Sequence, residues 1–440
     1  MKQQLTELLR LAGPVILAEL GWMFMGVVDT IMVGSLGPTA IGAVSVGHVF
    51  LDLIAIVGIG LLLGLDTLVS QSYGAGDLQD CEHSLWQGLY IAAAFAPFAM
   101  LSVFTARPIL EAAGVNSDVI SLAVPYALSL QWSLPPLVIY AAFRRYLQGI
   151  SLVRPVMFAL VTANLVNVVG NSILIPQYGV EGAGWATVAS RVYMALFLAC
   201  VAILRDPALV KRIPRPDLQR IHRLLALGLP AAGQILLEVG VFATSTVLAG
   251  RLAPESLAAH HILLNIAGTT FMVPLGMSSA GAVTVGHAIG RRDWKAARHS
   301  GWLAIGLGAG FMALAAIVLI LIPTPLIGIF TKNSEVLRIA IPLLFVAAVF
   351  QLFDGLQVVA TGVLRGAGDT RTPMIVNLMG HWLLGLPVGY LLCFSFGYGV
   401  TGLWMGLSVG LIVVGSVLLF AWSRLQLPSS SVLERRAANS

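Results

Sequence analysis

Three acidic residues stand inside long apolar runs: Asp29 in GWMFMGVVDTIMVG, Glu238 in GQILLEVGVFATSTVLAG and Asp354 in AAVFQLFDGLQVVATG. An ionisable side chain at membrane depth costs roughly 2.5 to 3.5 kcal/mol on insertion scales, so each is a functional candidate. Desolvation disfavours the charged form of a carboxyl, which makes such a group a place where a proton or a small cation binds and leaves. In TANLVNVVGNSILI, Asn167 and Asn171 fall one helical turn apart on one face. Their amide oxygens there either complete a cation site or tie two helices together.

Other residues carry weaker chemistry. Trp22, Met23, Phe24 and Met25 precede Asp29; aromatic faces attract organic cations and methionine adapts to irregular shapes, although four consecutive helical residues cannot all face one cavity. His381 lies inside an apolar run and is a candidate for a proton path, whereas His260, His261 and His287 lack metal-ligand spacing. Asp66 and Arg191 are placed near the cytoplasmic ends of their runs, within reach of water. Gly74-Ala75-Gly76-Asp77 and Gly366-Ala367-Gly368-Asp369 share a Gly-x-Gly-Asp pattern with intramembrane aspartyl proteases. Both lie just past an apolar run, which predicts tight turns instead.

The elements that hold these residues follow from composition. Of the 440 residues, 58% are hydrophobic and 10% charged, with a mean hydropathy of +0.90; soluble chains carry about 25% charge. Runs long enough to span a bilayer occur at 11–34, 42–72, 84–106, 120–148, 155–177 and 182–204, then at 222–250, 256–288, 296–322, 336–364, 373–396 and 399–424. The second six repeat the first. Pro14 pairs with Pro230, Gly74 with Gly290 and Asp77 with Asp293 at a spacing of 216; Asn116 pairs with Asn333 at 217, Pro155 with Pro373 at 218 and Gly179 with Gly399 at 220. Six spans per copy return each copy to its starting side, so the expected fold is an all-α polytopic membrane protein, twelve transmembrane helices in two six-helix lobes that are parallel repeats.

The predicted division is an N-lobe at 1–204, a cytoplasmic linker at 205–221, a C-lobe at 222–426 and a disordered tail at 427–440. Of the 25 Lys and Arg residues, the termini and even-numbered loops hold 20, the odd-numbered loops four, and Arg191 lies within a span. Both termini are therefore expected in the cytoplasm. The formal charge of +5 is loop charge facing that side rather than a nucleic-acid surface. Cys81, Cys200 and Cys393 form neither a disulfide framework nor a metal pattern. Neither a Walker A loop nor H-E-x-x-H occurs, so transport driven by an ion gradient is expected and a membrane enzyme is disfavoured.

VVDTIMVG at 27–34, SQSYGAGD at 70–77, LQGISLVRPVM at 147–157 with LRGAGDTRTPM at 364–374, NVVGN at 167–171 and GAGWAT at 182–187 together resemble the multidrug and toxic compound extrusion family over about residues 5 to 425. Glu238 and Asp354 resemble its NorM-type bacterial branch. The resemblance implies antiport of cationic amphiphilic compounds against inward H+ or Na+ across the bacterial inner membrane. It implies a first-lobe cation site on Asp29, Asn167, Asn171 and Thr187 and a second-lobe site on Glu238 and Asp354, either able to take Na+. Some sodium-coupled relatives place a tyrosine where Phe350 stands, and some an aspartate at Asn171. Trp22, Phe24, Met25, Phe350 and His381 are the expected substrate-cavity or proton-path residues. The expected partners are small cationic molecules and the lipid bilayer, with no nucleic acid, no cofactor beyond the coupling ion, and a monomeric chain. The rival is a flippase for polyprenyl-linked sugars, which would need a basic cavity; the spans show one deep basic residue, Arg191, against three or more acids.

Overall fold

The computed structural model describes residues 2–425, and the expected tail at 427–440 lies outside them. Among the described residues are twelve helices long and apolar enough to cross a membrane: α1 Gln4–Leu36, α2 Pro38–Gly74, α3 Leu78–Ala112, α4 Ser117–Gly149, α5 Val153–Tyr178, α6 Val180–Arg205, α7 Leu218–Ala249, α8 Pro254–Gly290, α9 Trp294–Leu321, α10 Ser334–Gly366, α11 Arg371–Ser395 and α12 Gly399–Arg424. No strand occurs among the described residues. Every apolar run read from the sequence falls within its helix to one residue. In α11, Leu378–Gly385 and Leu391–Ser395 are wound as π-helix, a geometry that is rare and recurs at functional sites.

The duplication is visible in the ends of the helices. Asp77 accepts at Oδ1 from the backbone N–H of Asp80 at 2.9 Å, and its repeat mate Asp293 accepts from Ala296 at 2.9 Å. Asn116 caps α4 by accepting from Asp118 at 2.8 Å, and its mate Asn333 caps α10 by accepting from Glu335 at 2.9 Å. Each such cap is worth about 1 kcal/mol. The two Gly-Ala-Gly-Asp segments are turns: Gly76 and Gly368 adopt φ of +81° and +91°, a conformation that glycine tolerates without a Cβ clash. Asp369 then accepts from Thr372 N–H at 3.0 Å. Both aspartates thus serve as caps, as expected for turns rather than for a protease.

Packing sorts the helices into two compact units. One comprises Leu17–Val69 and Asp77–Gly233; the other comprises the chain up to Ile16, Ser70–Gly76 and the described residues from Gln234 on. In α1 and α7 the change of unit falls just after Pro14 and Pro230, repeat mates inside their helices. A proline there removes a backbone hydrogen bond and lets the helix bend. In the first unit a Cβ on Gly60 would stand 2.5 Å from Ala232 Cα, and in the second a Cβ on its mate Gly276 would stand 2.5 Å from Ile16 Cγ1. The same glycine, used twice, brings a helix from the other sequence repeat into close contact within each unit.

Candidate cation sites in the two repeats

The first site is assembled on α1, α5 and α6. Gly170 on α5 packs so closely on Ala186 of α6 that a Cβ would come within 3.0 Å of it, and this brings the adjacent Asn171 and Thr187 together over Asp29. Asn171 donates from Nδ2 to Asp29 Oδ1 at 2.6 Å and to Asn167 Oδ1 at 3.1 Å. Thr187 donates to Asp29 Oδ2 at 3.3 Å and to the Ala183 carbonyl at 3.1 Å. All four side chains are buried, Asp29 being 3% exposed. Asn171 Oδ1 is shut from solvent with no hydrogen-bond partner among the described residues. A carboxylate, two amide oxygens and a hydroxyl are the hard oxygen donors that a proton or Na+ takes.

Around it, Trp22 carries the Arg191 guanidinium 5.7 Å from its ring centroid, and Arg191 donates to Ser133 Oγ at 2.7 Å. Arg191 is buried one turn beyond Thr187. Asp66 is equally buried. Neither reaches water as the sequence suggested; Asp66 pairs instead with Arg145 at 3.3 Å. Met25, one turn before Asp29, is buried, while Phe24 is two-thirds exposed at 66%.

The second site lies on α7 and α10. Gln234 donates to Glu238 Oε2 at 2.6 Å, one turn along the same helix. Asp354 on α10 is buried and leaves Oδ1 without a hydrogen-bond partner among the described residues. Phe350 points elsewhere: it packs edge-on to Trp404 at 5.0 Å and Phe242 at 5.9 Å, and Trp404 donates to His260 Nδ1 at 3.0 Å. His381, in the first π segment, sits 3.1 Å from Gln357 Oε1 through Nε2.

Two further buried ion pairs escaped the sequence reading: Glu19 with Arg144, and Asp66 with Arg145. The charge count places Arg144 and Arg145, at the end of the 120–148 run, with the loop charge and leaves Arg191 as the one deep basic residue; the structure corrects both, because the last turns of α4 are buried and hold the two arginines against Glu19 and Asp66. The signal was Glu19, an acid in an apolar run that requires a buried partner. Since both guanidiniums are neutralised by carboxylates, they do not form a basic cavity.

Comparison with known proteins agrees with this architecture. The MatE family model matches residues 14–173 and 230–391, one copy per repeat. The chain is 36% identical over 443 residues to the Probable multidrug resistance protein NorM of Mesorhizobium japonicum, covering 96% of this chain and 94% of that protein. It is 35% identical over 439 residues to the Multidrug resistance protein NorM of Burkholderia vietnamiensis, with the same coverage. Among solved structures, it superposes on a eukaryotic MATE transporter, AtDTX14, with a TM-score of 0.88 at 21% identity, covering 97% of this chain and 96% of that one. A MATE structure in complex with MaL6 gives 0.89 at 21% identity, with 98% and 97% covered. At that identity the likeness carries the fold.

Proposed function

We propose, on the premise that the chain belongs to the MatE family, that it is a multidrug efflux antiporter. It exports cationic amphiphilic compounds in exchange for inward H+ or Na+ and performs no covalent chemistry. The observation that carries this reading is Asp29 held by Asn171 and Thr187 inside a buried cage, with a second acidic pair, Glu238 and Asp354, on the other repeat. A cation entering either site replaces hydrogen bonds that amides now make to the carboxylate, so occupancy changes which side-chain arrangement is lowest in free energy. Ligand-dependent choice between two packings is what alternating access requires. In this reading the lobes 1–204 and 222–426 rock about the linker 205–221, in a monomer of the bacterial inner membrane with both termini cytoplasmic.

The energetics favour two cation sites. One charge moved through 100 mV yields about 2.3 kcal/mol, close to a 50-fold concentration ratio. Exchange of one cation for one monovalent cationic drug cancels that contribution, leaving only the chemical gradient. Two entering cations per drug restore it, and each repeat carries one acidic site. A lipid-sugar flippase, by contrast, needs unpaired basic groups to hold pyrophosphate, whereas Arg144 and Arg145 are each spent on an acid.

The test is accumulation of ethidium or norfloxacin in efflux-deficient cells, with and without an uncoupler. Expression should lower accumulation, and the uncoupler or removal of Na+ should restore it. Unchanged accumulation on expression would discard drug export.

A further inference from the structure

The segment between α6 and α7 is fastened to α3 by its backbone. Trp86 donates from Nε1 to the Leu209 carbonyl at 3.1 Å, and Tyr90, one turn on, donates to the Pro214 carbonyl at 2.9 Å. Between them Gln87 donates to the Arg215 carbonyl at 3.1 Å and accepts from the Asp217 N–H at 2.9 Å. The acids of the segment turn inward too. Asp206 accepts from the Ala208 N–H at 2.9 Å; Asp217 accepts from the Gln219 N–H at 2.9 Å and lies 3.1 Å from His83 Nε2. The cations turn outward. Arg220 pairs with Asp80, but Arg205, Lys211, Arg212, Arg215 and Arg223 are exposed and enter no ion pair among the described residues. Val210 and Ile213, interspersed with them, are 46% and 53% exposed.

Basic loops orient a spanning chain, and orientation asks only for the charge. It does not ask for acids turned inward, for cations and apolar side chains turned outward together, or for a backbone tied down beneath them. The depth of the segment is fixed as well. Trp86 and Tyr90, which hold its carbonyls, stand at the start of the apolar run 84–106, the level at which amphipathic rings sit on a membrane surface. At that level a strip of Arg and Lys with apolar groups between them matches lipid. Guanidinium forks take phosphate oxygens in pairs, and the apolar groups enter the boundary between headgroups and acyl chains. We propose that residues 205–215 form an interfacial strap that binds anionic phospholipid through Lys211, Arg212 and Arg215, with Val210 and Ile213 seated among the headgroups. This site is separate from the buried acids and independent of what the protein transports. Each basic side chain near an anionic membrane surface strengthens binding about fivefold. A free phosphate ion offers nothing to Val210 and Ile213, so the occupant is a lipid.

The test is native mass spectrometry of the full-length protein in detergent, titrated with phosphatidylglycerol or with phosphatidylcholine of the same acyl chains. Phosphatidylglycerol should bind about tenfold more tightly, and Lys211→Gln with Arg212→Gln and Arg215→Gln should remove that preference. None of the three side chains makes a hydrogen bond among the described residues, so this variant should keep the thermal midpoint of the wild type in lipid-free detergent. A second triple variant, Arg291→Gln with Arg292→Gln and Lys295→Gln, removes as many exposed cations elsewhere and should lower the preference less than about threefold. Equal binding of the two lipids by the wild-type protein overturns the proposal. Equal loss in the two triple variants does so too, since net charge alone would then account for binding. Millimolar inorganic phosphate should leave lipid binding unchanged; full competition would mean a free-anion site and overturn the lipid assignment. Trp86→Phe with Tyr90→Phe keeps every charge but releases the Leu209 and Pro214 carbonyls, and should weaken phosphatidylglycerol binding about threefold. Wild-type affinity in that variant overturns the role of the clamped backbone.

Discussion

Asn171 donates to Asp29 at 2.6 Å across 142 residues of sequence, from the fifth helix to the first. The contact matters because Asp29 is the acid of the first repeat's candidate site and Asn171 is the group that a cation bound there would displace or join. Its counterpart in the second repeat is absent. The mates of Asp29, Asn167, Asn171 and Thr187 are Ser245, Gly385, Gly389 and Leu407, and Gly389 instead packs on the backbone of Leu403 and Gly406. Each repeat therefore carries one candidate acidic site, built on different helices.

Asp29→Asn retains the shape and hydrogen-bonding capacity of the side chain but removes its charge. Ethidium efflux from cells should fall to the level of cells lacking the protein, while the purified variant keeps its thermal midpoint within a few degrees, because the cage remains satisfied. Asn171→Leu should lose both, as it leaves Asp29 buried with one partner fewer.

Gly406→Ala tests how the second repeat filled the space of the missing site. A Cβ there would overlap the backbone of Gly389, so α11 and α12 must separate, at a cost of about 1–3 kcal/mol. The expected result is a lowered melting temperature in detergent, with acid-site chemistry untouched at Glu238 and Asp354.

Glu19→Gln should destabilise the protein by about 3–5 kcal/mol, since Arg144 would be left buried without its counter-charge. Replacing both partners, Glu19→Leu with Arg144→Met, should recover most of that loss. Chemical denaturation followed by tryptophan fluorescence distinguishes the two cases; equal damage in the single and double variants would contradict the ion-pair account.

Phe350→Tyr does not restore a ligand to the second site, because the ring points into the cluster with Trp404 and Phe242. A hydroxyl added there without a partner costs about 1–3 kcal/mol. The variant should melt earlier and show no gain in Na+-dependent transport.

The helices were legible because twelve apolar runs are long enough to cross a bilayer, and Asp29, Glu238 and Asp354 were legible because a charge in such a run is costly. Other features were not. Arg144 and Arg145 fall at the end of their run, where composition reads them as loop charge, and only the inward course of α4 reveals their pairing. Thr187 entered by resemblance, since a threonine in a spanning helix ordinarily bonds the carbonyl four residues back, as Thr187 also does with Ala183. Phe350 and Gln351 are neighbours in sequence, yet a step of about 100° along a helix sends one into an aromatic cluster and the other onto the side of α10 that carries Asp354. The change of packing unit after Pro14 and Pro230 was likewise hidden, because it depends on contacts made by glycines far away in the chain.

The central claim is that cation uptake by the buried acids drives export. It is tested most directly in proteoliposomes at clamped voltage, by comparing drug transport under an imposed pH or Na+ gradient in the wild-type protein and in the triple variant Asp29→Asn, Glu238→Gln, Asp354→Asn. The wild-type protein should move drug against its concentration when the gradient of its coupling ion, H+ or Na+, is imposed, and the triple variant should match protein-free liposomes. Gradient-driven transport by the triple variant at the wild-type rate would contradict the account.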